Sequence, residues 1–423
     1  MFAAELITSL VGRLRVPAVV LPIIVLAISA AGSAAPDDRN LARLEEVWRL
    51  VDEHFFDPEF NGVDWPAMLD RHAASAREAD DDAELAAAVN AMLGELDTSH
   101  TRYFTKRDPA YYQLLGIFSH GRRGGPIRER FSGGEVRYAD TGLVADEIDG
   151  TIFITGIIDG MPAADADLRI GDEIISVDGR PYEPRQSAAR EAGPPLTIEI
   201  QRSPDPASRR HLAVRRELVE PNEMFLRAMR ESARVIERDG VAVGYVHVWS
   251  WAGEHFQQQL IELLNDEPPR DAEALVLDIR DGWGGARTWY LNLFNRNVPV
   301  MTMHPREGEP HTLDMHWRKP VVLLINGGSR SGKEVIAWGF RTCDIGPVVG
   351  TPTAGAVTAG RAFILSDGSL LYLAVADVRV DGKRLEGVGV EPDVRVPREI
   401  PYAAGADPQL QRAVEVAAEL ARR

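Results

Sequence analysis

Apolar residues follow three different spacings along the chain, and each spacing predicts a different kind of structure. From Arg39 to about Gly94 they recur every three or four residues, which predicts amphipathic helices. After Gly116, short apolar runs are separated by Asp-Gly and Gly-Asp turns, which predict a compact β-rich module ending near Leu218. From Gly240 onward, apolar runs of buried-strand length alternate with helical patterns, which predicts an α/β region.

The same patterns place the individual elements. In the β-rich module, strands are predicted over 135–138, 142–145, 151–158, 174–177 and 196–200. In the α/β region, strands are predicted over 241–248, 274–279, 321–325, 348–351, 361–365 and 370–375, and helices over 256–264, 289–294, 334–340 and 408–420. The predicted fold is therefore an α/β core with a helical N-terminal region and an inserted β-rich domain.

The first 35 residues have the pattern of a targeting segment. Arg13 and Arg15 precede an uncharged run that ends in small residues, from Gly32 to Ala35. A charged start, an apolar middle and a small-residue exit are typical of a secretory signal peptide. The alternative is an uncleaved membrane anchor, since the run has about the length that spans a bilayer. Two prolines interrupt the run, and we favour export to the periplasm or the extracellular space.

These boundaries divide the chain into four parts. They are a signal peptide or membrane anchor (1–35), a helical region (36–115), a β-rich domain (116–218) and an α/β core (219–423).

Composition excludes several classes of function. The 423 residues include 64 acidic and 47 basic side chains, so the formal net charge is −17. A nucleic-acid-binding surface needs a basic excess, so nucleic acid is not expected as a partner. The single cysteine, Cys343, excludes a disulfide framework, a cysteine-built zinc site and a CxxC redox pair.

A serine-rich segment lies between a predicted buried strand and a predicted helix. It runs from Asn326 to Glu334 and contains Ser329 and Ser331. Backbone N–H groups at a helix start can stabilise a developing oxyanion, so a serine there is a candidate nucleophile. The alternative is a structural helix cap, because Ser, Gly and a Glu three residues into the helix are also what a capping box requires.

Three further segments carry candidate chemistry. The glycine-rich stretch from Asp278 to Gly285 follows a strand, at the sheet edge where α/β proteins bind ligands. Its Arg280 is equally well explained as a structural partner of Asp278. Histidine is the usual base for a serine nucleophile, so His100 is a candidate, although a lone histidine in a turn is more often a surface residue. Glu386 alone is typical of a loop acid.

Together these segments resemble the C-terminal processing (tail-specific) serine peptidases and their relative the tricorn protease. The resembling parts are Trp48 and the turn 62–65, the turn 96–101, a PDZ-like insert, the stretch 278–285, the Ser-x-Ser-x-x-Glu box at 329–334 and the tail 386–393. The resemblance implies an α/β core of crotonase- or ClpP-like ββα units. It also implies a serine peptidase that needs no metal or cofactor.

The details indicate which branch of the family the chain resembles. Members with a Ser–Lys dyad take the lysine from a Thr-x-Gly-Lys segment, and the matching residues here, 353–356, end in an alanine, Ala356. The tricorn-like branch instead uses a Ser-His pair and a late glutamate, present here as Ser99, His100 and Glu386. The resemblance therefore implies Ser331 as nucleophile and His100 as general base and acid. Ser99 and Glu386 would orient and polarise the histidine.

The oxyanion hole is predicted from the same resemblance. It would consist of the N–H of Gly332 together with that of Gly284 or Gly285. The choice between these two stays open, because the family usually has Asn at the position of Gly282. Lys333 is not favoured as an alternative base. It lies two residues after Ser331 at a helix start, so its side chain faces a different side of the helix from that of Ser331.

The β-rich insert resembles a PDZ domain. Thr141, Gly142, Leu143 and Val144 match the carboxylate-binding loop of that domain. Such a module captures an extended C-terminus by strand addition. We therefore expect it to deliver protein or peptide substrates with free C-termini to the active site. The alternative is a lid or an assembly surface, and the oligomeric state stays open.

Two non-enzymatic interpretations compete with the peptidase. The interphotoreceptor retinoid-binding protein resembles the same catalytic core yet carries apolar ligands, so a binding protein without turnover is one alternative. A PDZ-type scaffold is the other. The absent lysine at Ala356 and the glycine at Gly282 are the main grounds for the first of these alternatives.

Overall fold

A computed structural model describes residues 36–119, 124–184, 187–266 and 268–423. The predicted signal peptide or membrane anchor, residues 1–35, lies outside the described residues. In the described ranges, no helix combines the length and the apolar composition that crossing a membrane requires.

The N-terminal region is helical, as predicted. Its helices are α1 (Pro36–His54), α2 (Trp65–Glu78), α3 (Asp82–Gly94), α4 (Pro109–Ser119) and the single turn α5 (Gly125–Arg128). The first helices pack around the fully buried Trp65, and the Asp81 carboxylate caps α3 by accepting from the N–H groups of Ala83 and Glu84. Helix α4 crosses the predicted domain boundary at residue 116.

The β-rich insert is built on a five-stranded antiparallel sheet. Its strands, in the order β3-β4-β5-β6-β7, are β3 (Leu143–Ile148), β4 (Thr151–Ile157), β5 (Glu173–Val177), β6 (Leu196–Gln201) and β7 (Arg209–Val214). Strands β2 (Tyr138–Asp140) and β8 (Glu217–Val219) pair separately at its base. The strand predicted over 135–138 was wrong. The observed strand begins only at Tyr138, the first residue that pairs with β8, where it lies opposite Val219.

The α/β core is organised around a six-stranded sheet. Its order is β20-β15-β14-β11-β10-β9, and all neighbours are parallel except β9 and β10. The strands are β9 (Arg234–Arg238), β10 (Val241–His247), β11 (Ala274–Asp278), β14 (Val321–Ile325), β15 (Val348–Gly350) and β20 (Val394–Arg395). Two flanking hairpins are β12 (Met301–Met303) with β13 (His311–Leu313), and β18 (Arg379–Val380) with β19 (Lys383–Arg384).

Helices cover both faces of this sheet. They are α6 (Pro221–Ser232), α7 (Glu254–Asp266), α8 (Gly332–Thr342) and α9 (Pro408–Ala421). Helix α9 packs on one face through residues such as Val414 and Ala417, whereas Phe256 and Phe340 bury α7 and α8 in the main core. The segment predicted as a helix over 289–294 forms a 3₁₀ helix, Thr288–Phe294. The predicted fold, an α/β core with a helical N-terminal region and an inserted β-rich domain, is confirmed.

A second small sheet joins the helical region to the core. Strand β1 (Arg102–Phe104) pairs antiparallel with β17 (Leu370–Ala376), which also pairs with β16 (Ala359–Ile364). Arg102 lies opposite Tyr372 in this register. The turn that carries Ser99 and His100 immediately precedes β1, so this pairing holds it against the second half of the chain.

The β-rich insert is tied to the core by the segment before α9. The N–H of Tyr402 donates to the carbonyl of Gly171 over 2.9 Å, and the Tyr402 ring packs edge-on against Phe153. Arg398 pairs with Asp281 at 3.0 Å and also donates to the Thr155 carbonyl of the insert. The insert is thus connected to the loop after β11.

Candidate active site

Ser331 lies at the junction between β14 and α8, in a strained backbone conformation. Its φ of 57° and ψ of −127° are unusual for a residue with a side chain and cost about 1–3 kcal/mol. The N–H of Ser331 donates to the Ala356 carbonyl at 2.8 Å and to Glu334 Oε2 at 3.0 Å. The surrounding structure therefore fixes the turn that presents this hydroxyl.

Glu334 connects that turn to a neighbouring loop. Its carboxylate is fully buried. It accepts from the Thr353 hydroxyl at 2.6 Å and from the N–H groups of Gly355 and Ala356, each at 2.8 Å. Burial raises the pKa of Glu334, whereas these hydrogen bonds lower it. Glu334 is in the position of a capping acid, and it also clamps the loop 353–356 against Ser331.

His100 is held from its Nδ1 side. That nitrogen lies 2.8 Å from Ser99 Oγ and 3.3 Å from Thr358 Oγ1. The ring packs against Tyr372 with the centroids 5.2 Å apart. Among the described residues, His100 Nε2 has no hydrogen-bond partner. The orienting contacts thus leave this second nitrogen available for proton transfer.

Glu386 lies behind Ser99 and organises it. Its carboxylate accepts from the N–H and the hydroxyl of Ser99, each at 2.9 Å. It also accepts from the N–H of Val357 at 2.6 Å and of Thr358 at 3.1 Å. A continuous hydrogen-bonded path therefore runs from Glu386 through Ser99 to His100.

The environment keeps the His100 imidazole neutral. Burial lowers the pKa of His100 to about 4; the Glu386 charge acts upward and the Arg330 charge acts downward. Above that pH the ring is an unprotonated base, which is the form that can accept a proton from a serine.

The glycine loop lies against Ser331. A Cβ at Gly284 would come within 2.5 Å of the Arg330 carbonyl and 2.6 Å of Ser331 Cβ. A Cβ at Gly332 would come within 2.3 Å of the Ala286 nitrogen. Among the described residues, the N–H groups of Gly284, Gly285 and Gly332 have no acceptor. They are donors beside the nucleophile, which is what an oxyanion hole requires.

Gly282 is explained by a close backbone approach. Its φ is 66°, and a Cβ there would lie only 1.9 Å from the Trp249 carbonyl oxygen. The next residue, Trp283, contacts the same carbonyl, because its N–H donates to the Trp249 oxygen at 2.8 Å. In this chain the loop geometry therefore requires glycine where the family usually has Asn.

One cleft of about 840 Å³ is lined by five of the seven predicted catalytic and oxyanion-hole residues. Residues lining it include Ser99, His100, Gly284, Gly285 and Ser331. The Ser331 hydroxyl and the His100 ring face this cleft without a hydrogen bond between them among the described residues. Such contacts often form only when substrate is bound. The described residues contain no group of three or more side chains arranged to hold a metal ion.

Lys333 is buried away from the cleft lining. Its side chain is fully buried, and Nζ donates to the carbonyls of Asp281 at 2.7 Å and Trp249 at 3.1 Å. Burial lowers the pKa of Lys333 to about 7. The contact with Asp281 thus holds the loop after β11 against helix α8. Ala356, at the dyad-lysine position, lines the cleft and accepts from Ser331.

Arg280 has a structural environment. Its guanidinium is buried and pairs with Asp278 and Asp407, each at 2.7 Å. It also donates to Gln409 at 3.2 Å. The coulombic and hydrogen-bonding contributions of Arg280 hold the pKa of Asp278 well below its usual value, outweighing the upward effect of burial.

The predicted carboxylate-binding loop lies in the β-rich insert, outside the cleft. The N–H of Gly142 donates to Asp140 Oδ1 at 2.9 Å, and the N–H of Leu143 donates to Thr141 Oγ1 at 3.2 Å. Leu143 and Val144 begin β3, which is an edge strand. Within the described ranges the loop therefore leads into a strand with one unpaired edge, and the side chains of Asp140 and Thr141 accept from two of its N–H groups.

Sequence analysis missed several residues of the cleft. Thr358 contacts both Ser99 and His100, and Tyr372 packs on the imidazole. Neither residue belongs to a recognisable motif. Thr358, for example, is 258 residues from His100 along the chain, so only the fold brings the two together. Arg330 stands inside the serine box, and its charge was the signal that could have identified it.

Comparison with known proteins assigns domains to three parts of the chain. Residues 242–396 match Peptidase family S41, residues 36–94 match the Tricorn protease C1 domain, and residues 130–195 match the PDZ domain. These matches confirm the resemblance drawn from the sequence motifs.

Curated relatives align along most of the chain. Tricorn protease homolog 1 of Streptomyces coelicolor is 28% identical over 384 residues, which cover 88% of this chain and 34% of the relative. The chain thus spans about a third of the length of the tricorn homologues that it matches. A carboxyl-terminal-processing protease of Picosynechococcus sp. is 25% identical over 403 residues, covering 89% of this chain and 88% of the relative.

Solved structures share the fold. The tricorn protease aligns with a TM-score of 0.53 and 17% identity over 92% of this chain and 37% of its own. The photosystem II D1 C-terminal processing protease aligns with a TM-score of 0.50 and 23% identity, over 89% of this chain and 97% of its own.

Proposed function

Because the chain belongs to peptidase family S41 and carries tricorn C1 and PDZ domains, we propose that it is a serine endopeptidase that cleaves protein substrates through an acyl-enzyme on Ser331. The observation that carries this proposal is the hydrogen-bonded path from Glu386 through Ser99 to His100, which ends on the cleft that Ser331 also lines. A neutral, oriented imidazole and a serine on one cleft are the elements of nucleophilic catalysis.

The proposed reaction follows the acyl-enzyme pathway. Ser331 Oγ attacks the peptide carbonyl carbon while His100 Nε2 takes the hydroxyl proton. The N–H groups of Gly332 and of Gly284 or Gly285 stabilise the oxyanion. As the intermediate collapses, the C–N bond breaks and His100 returns the proton to the leaving amine. Water then attacks the ester with His100 as base, which releases the acid product and restores Ser331.

Ser99 and Glu386 support this cycle without touching the substrate. The Ser99 hydroxyl donates a hydrogen bond to Glu386, so its oxygen can accept one from the Nδ1–H of His100 when the ring becomes protonated in the transition state. The Glu386 charge then stabilises the imidazolium through one intervening hydroxyl. This arrangement supports the proposal that histidine is the base and that Lys333 is a structural residue.

We assign substrate recognition to the PDZ domain. The position of β3 at the edge of its sheet supports strand addition by an extended polypeptide tail, and the loop from Thr141 to Val144 stands at the start of that strand. Protein chains with free C-termini are thus the proposed substrates. Entry of a terminal carboxylate requires the Gly142 N–H to exchange Asp140 for the incoming group.

The proposed location is outside the cytoplasm. It rests on the first 35 residues, whose charged start, apolar run and small-residue end are typical of an export signal. Retention of this segment would anchor the enzyme to a membrane. Nucleic acid is not a proposed partner, given the net charge of −17.

The decisive experiment is active-site labelling with a fluorophosphonate probe. We expect the wild-type chain to be labelled at Ser331, and Ser331→Ala to lose both labelling and peptide hydrolysis while keeping its melting temperature. His100→Ala should lose both as well. Ser75→Ala, at an exposed position of helix α2, is the matched control and should behave as the wild type. A wild-type chain without labelling would favour a binding protein on the same fold, and hydrolysis by Ser331→Ala would overturn the assignment of the nucleophile.

A further inference from the structure

Arg330 directly precedes the proposed nucleophile, and its side chain lies on the cleft. The residue is exposed and lines the cleft with Ser331, His100 and Trp283. Its guanidinium carbon is 5.9 Å from the Trp283 ring, and its Nε lies 3.4 Å from the Gly328 carbonyl. In the described ranges no carboxylate pairs with it. Its charge is therefore available to a ligand in the cleft.

The other charges of the cleft do not neutralise Arg330. Arg287 pairs with Glu254 at 3.3 Å, so these two charges largely cancel. Arg102 also lines the cleft, with its guanidinium 5.7 Å from the Phe104 ring. Three arginines and one glutamate line the cleft, which gives it a charge of +2 in a chain of net charge −17. The residues that line the cleft are thus net positive on an acidic protein, and the Glu386 carboxylate lies behind Ser99.

The Arg330 charge also reaches the groups that take part in the proposed chemistry. Burial is the main cause of the lowered pKa of His100, and the Arg330 charge acts in the same direction against that of Glu386. The Arg330 charge also opposes the rise that burial causes in the pKa of Tyr372, which packs on the His100 ring. A substrate bound over Ser331 and His100 would lie within the same field. Guanidinium groups bind carboxylates through two parallel N–H donors, and the Trp283 face limits the orientations available to this one.

We propose that Arg330 is a specificity residue that binds a substrate carboxylate within a few residues of the scissile bond. This inference rests on the proposed peptidase function and adds a substrate preference to it. The carboxylate belongs either to an acidic side chain or to the C-terminus of a chain cut close to its end. Both sources present the same planar anion to the guanidinium, so the experiment has to separate them.

The test compares matched peptides. One fluorogenic parent peptide that the wild type cleaves is made with Glu or Gln at each of the three positions on either side of the scissile bond. We expect kcat/KM to be about three- to tenfold higher for Glu than for Gln at one position, as for a partly screened ion pair. In Arg330→Gln the ratio should fall to about one, and in Arg330→Glu it should invert. Arg330→Lys should keep part of it.

A second arm identifies the source of the carboxylate. The same peptides are compared as free acids and as C-terminal amides, with the scissile bond placed near the terminus. A preference for the acid that disappears in Arg330→Gln assigns the terminal carboxylate to Arg330. A preference that survives in this variant belongs to the PDZ domain. Arg306→Gln, on the exposed hairpin, is the matched charge control and should keep the wild-type ratios.

The proposal is overturned if the wild type shows no Glu-over-Gln or acid-over-amide preference that depends on Arg330. Its failure differs from that of the peptidase proposal, which fluorophosphonate labelling of Ser331 reports. If the wild type cleaves none of the peptides, their binding to Ser331→Ala is measured by fluorescence anisotropy with and without Arg330→Gln. An affinity ratio that is the same in both variants would also overturn the proposal.

Discussion

Glu386→Gln is the most informative single change, because it removes one charge and keeps the shape of the side chain. In the wild type, Oε2 accepts from the Ser99 hydroxyl and from the N–H groups of Val357 and Thr358. Oε1 accepts from the Ser99 N–H. The best orientation of a glutamine places its oxygen at Oε2, so its NH₂ group then faces the Ser99 N–H.

The expected loss of stability follows from this geometry. Three hydrogen bonds lose the assistance of a negative charge, and such bonds are about twice as strong as neutral ones. One N–H of Ser99 is left without an acceptor, which costs about 1–3 kcal/mol when buried and less here, where Glu386 is half-buried. Together we expect the free energy of unfolding to fall by about 2–4 kcal/mol.

The expected loss of activity is larger. Removing the carboxylate that directly orients the histidine of a Ser-His-Asp site lowers kcat about 10⁴-fold. Glu386 acts through Ser99, and Thr358 also holds Nδ1, so we expect kcat to fall about 10²–10³-fold. Urea unfolding and peptide hydrolysis measure the two effects.

The control is Glu391→Gln, an exposed glutamate five residues further along the same tail. It removes the same charge without the Ser99 contacts, so both measurements should match the wild type. If Glu386→Gln changed stability by less than about 0.5 kcal/mol and kcat by less than about threefold, the path from Glu386 to His100 would not matter for the site.

Two further predictions concern protonation and the glycine loop. Because His100 must be neutral to act as base and its pKa is lowered to about 4, kcat/KM should fall on acidification only near pH 4. Arg330→Gln should move this fall to higher pH by removing a charge that lowers the pKa; a wild-type fall near pH 6.5 would contradict the burial of the ring. Gly284→Ala places a Cβ 2.6 Å from Ser331 Cβ, so kcat should fall at least about 100-fold. Gly327→Ala has nothing within 4 Å of its Cβ and is the control, and equal activity of the two variants would rule out close packing of the loop on Ser331.

The order and type of most core elements could be predicted from the sequence, because each buries a continuous apolar run. Strand β14, predicted over 321–325, has those bounds, and all five of its residues are buried. Strand β7 was missed, since its sequence begins with Arg209 and Arg210 and it lies at the edge of its sheet. Nothing in its pattern separates such an exposed edge strand from a loop.

The candidate site was predictable only as far as its motifs extend. Ser331, His100 and Glu386 stand in recognisable segments; Ser331 and His100 line one cleft, and Glu386 contacts Ser99 behind His100. Thr358 has no such motif, because its role comes from the pairing of β16 with β17 and from contacts across the chain. Contacts of this kind depend on tertiary structure, which local sequence patterns do not contain.

The contact between Ser99 and Glu386 joins residues 287 positions apart in the sequence. During synthesis from the N-terminus, His100 emerges first, Ser331 follows, and Glu386 comes after both. The histidine therefore has no organised partner until nearly the whole core has been made and has closed onto the turn at Ser99. Under the proposed mechanism, a chain that ends before Glu386 lacks the carboxylate that orients His100 through Ser99, so we expect it to hydrolyse peptides far more slowly than the complete core.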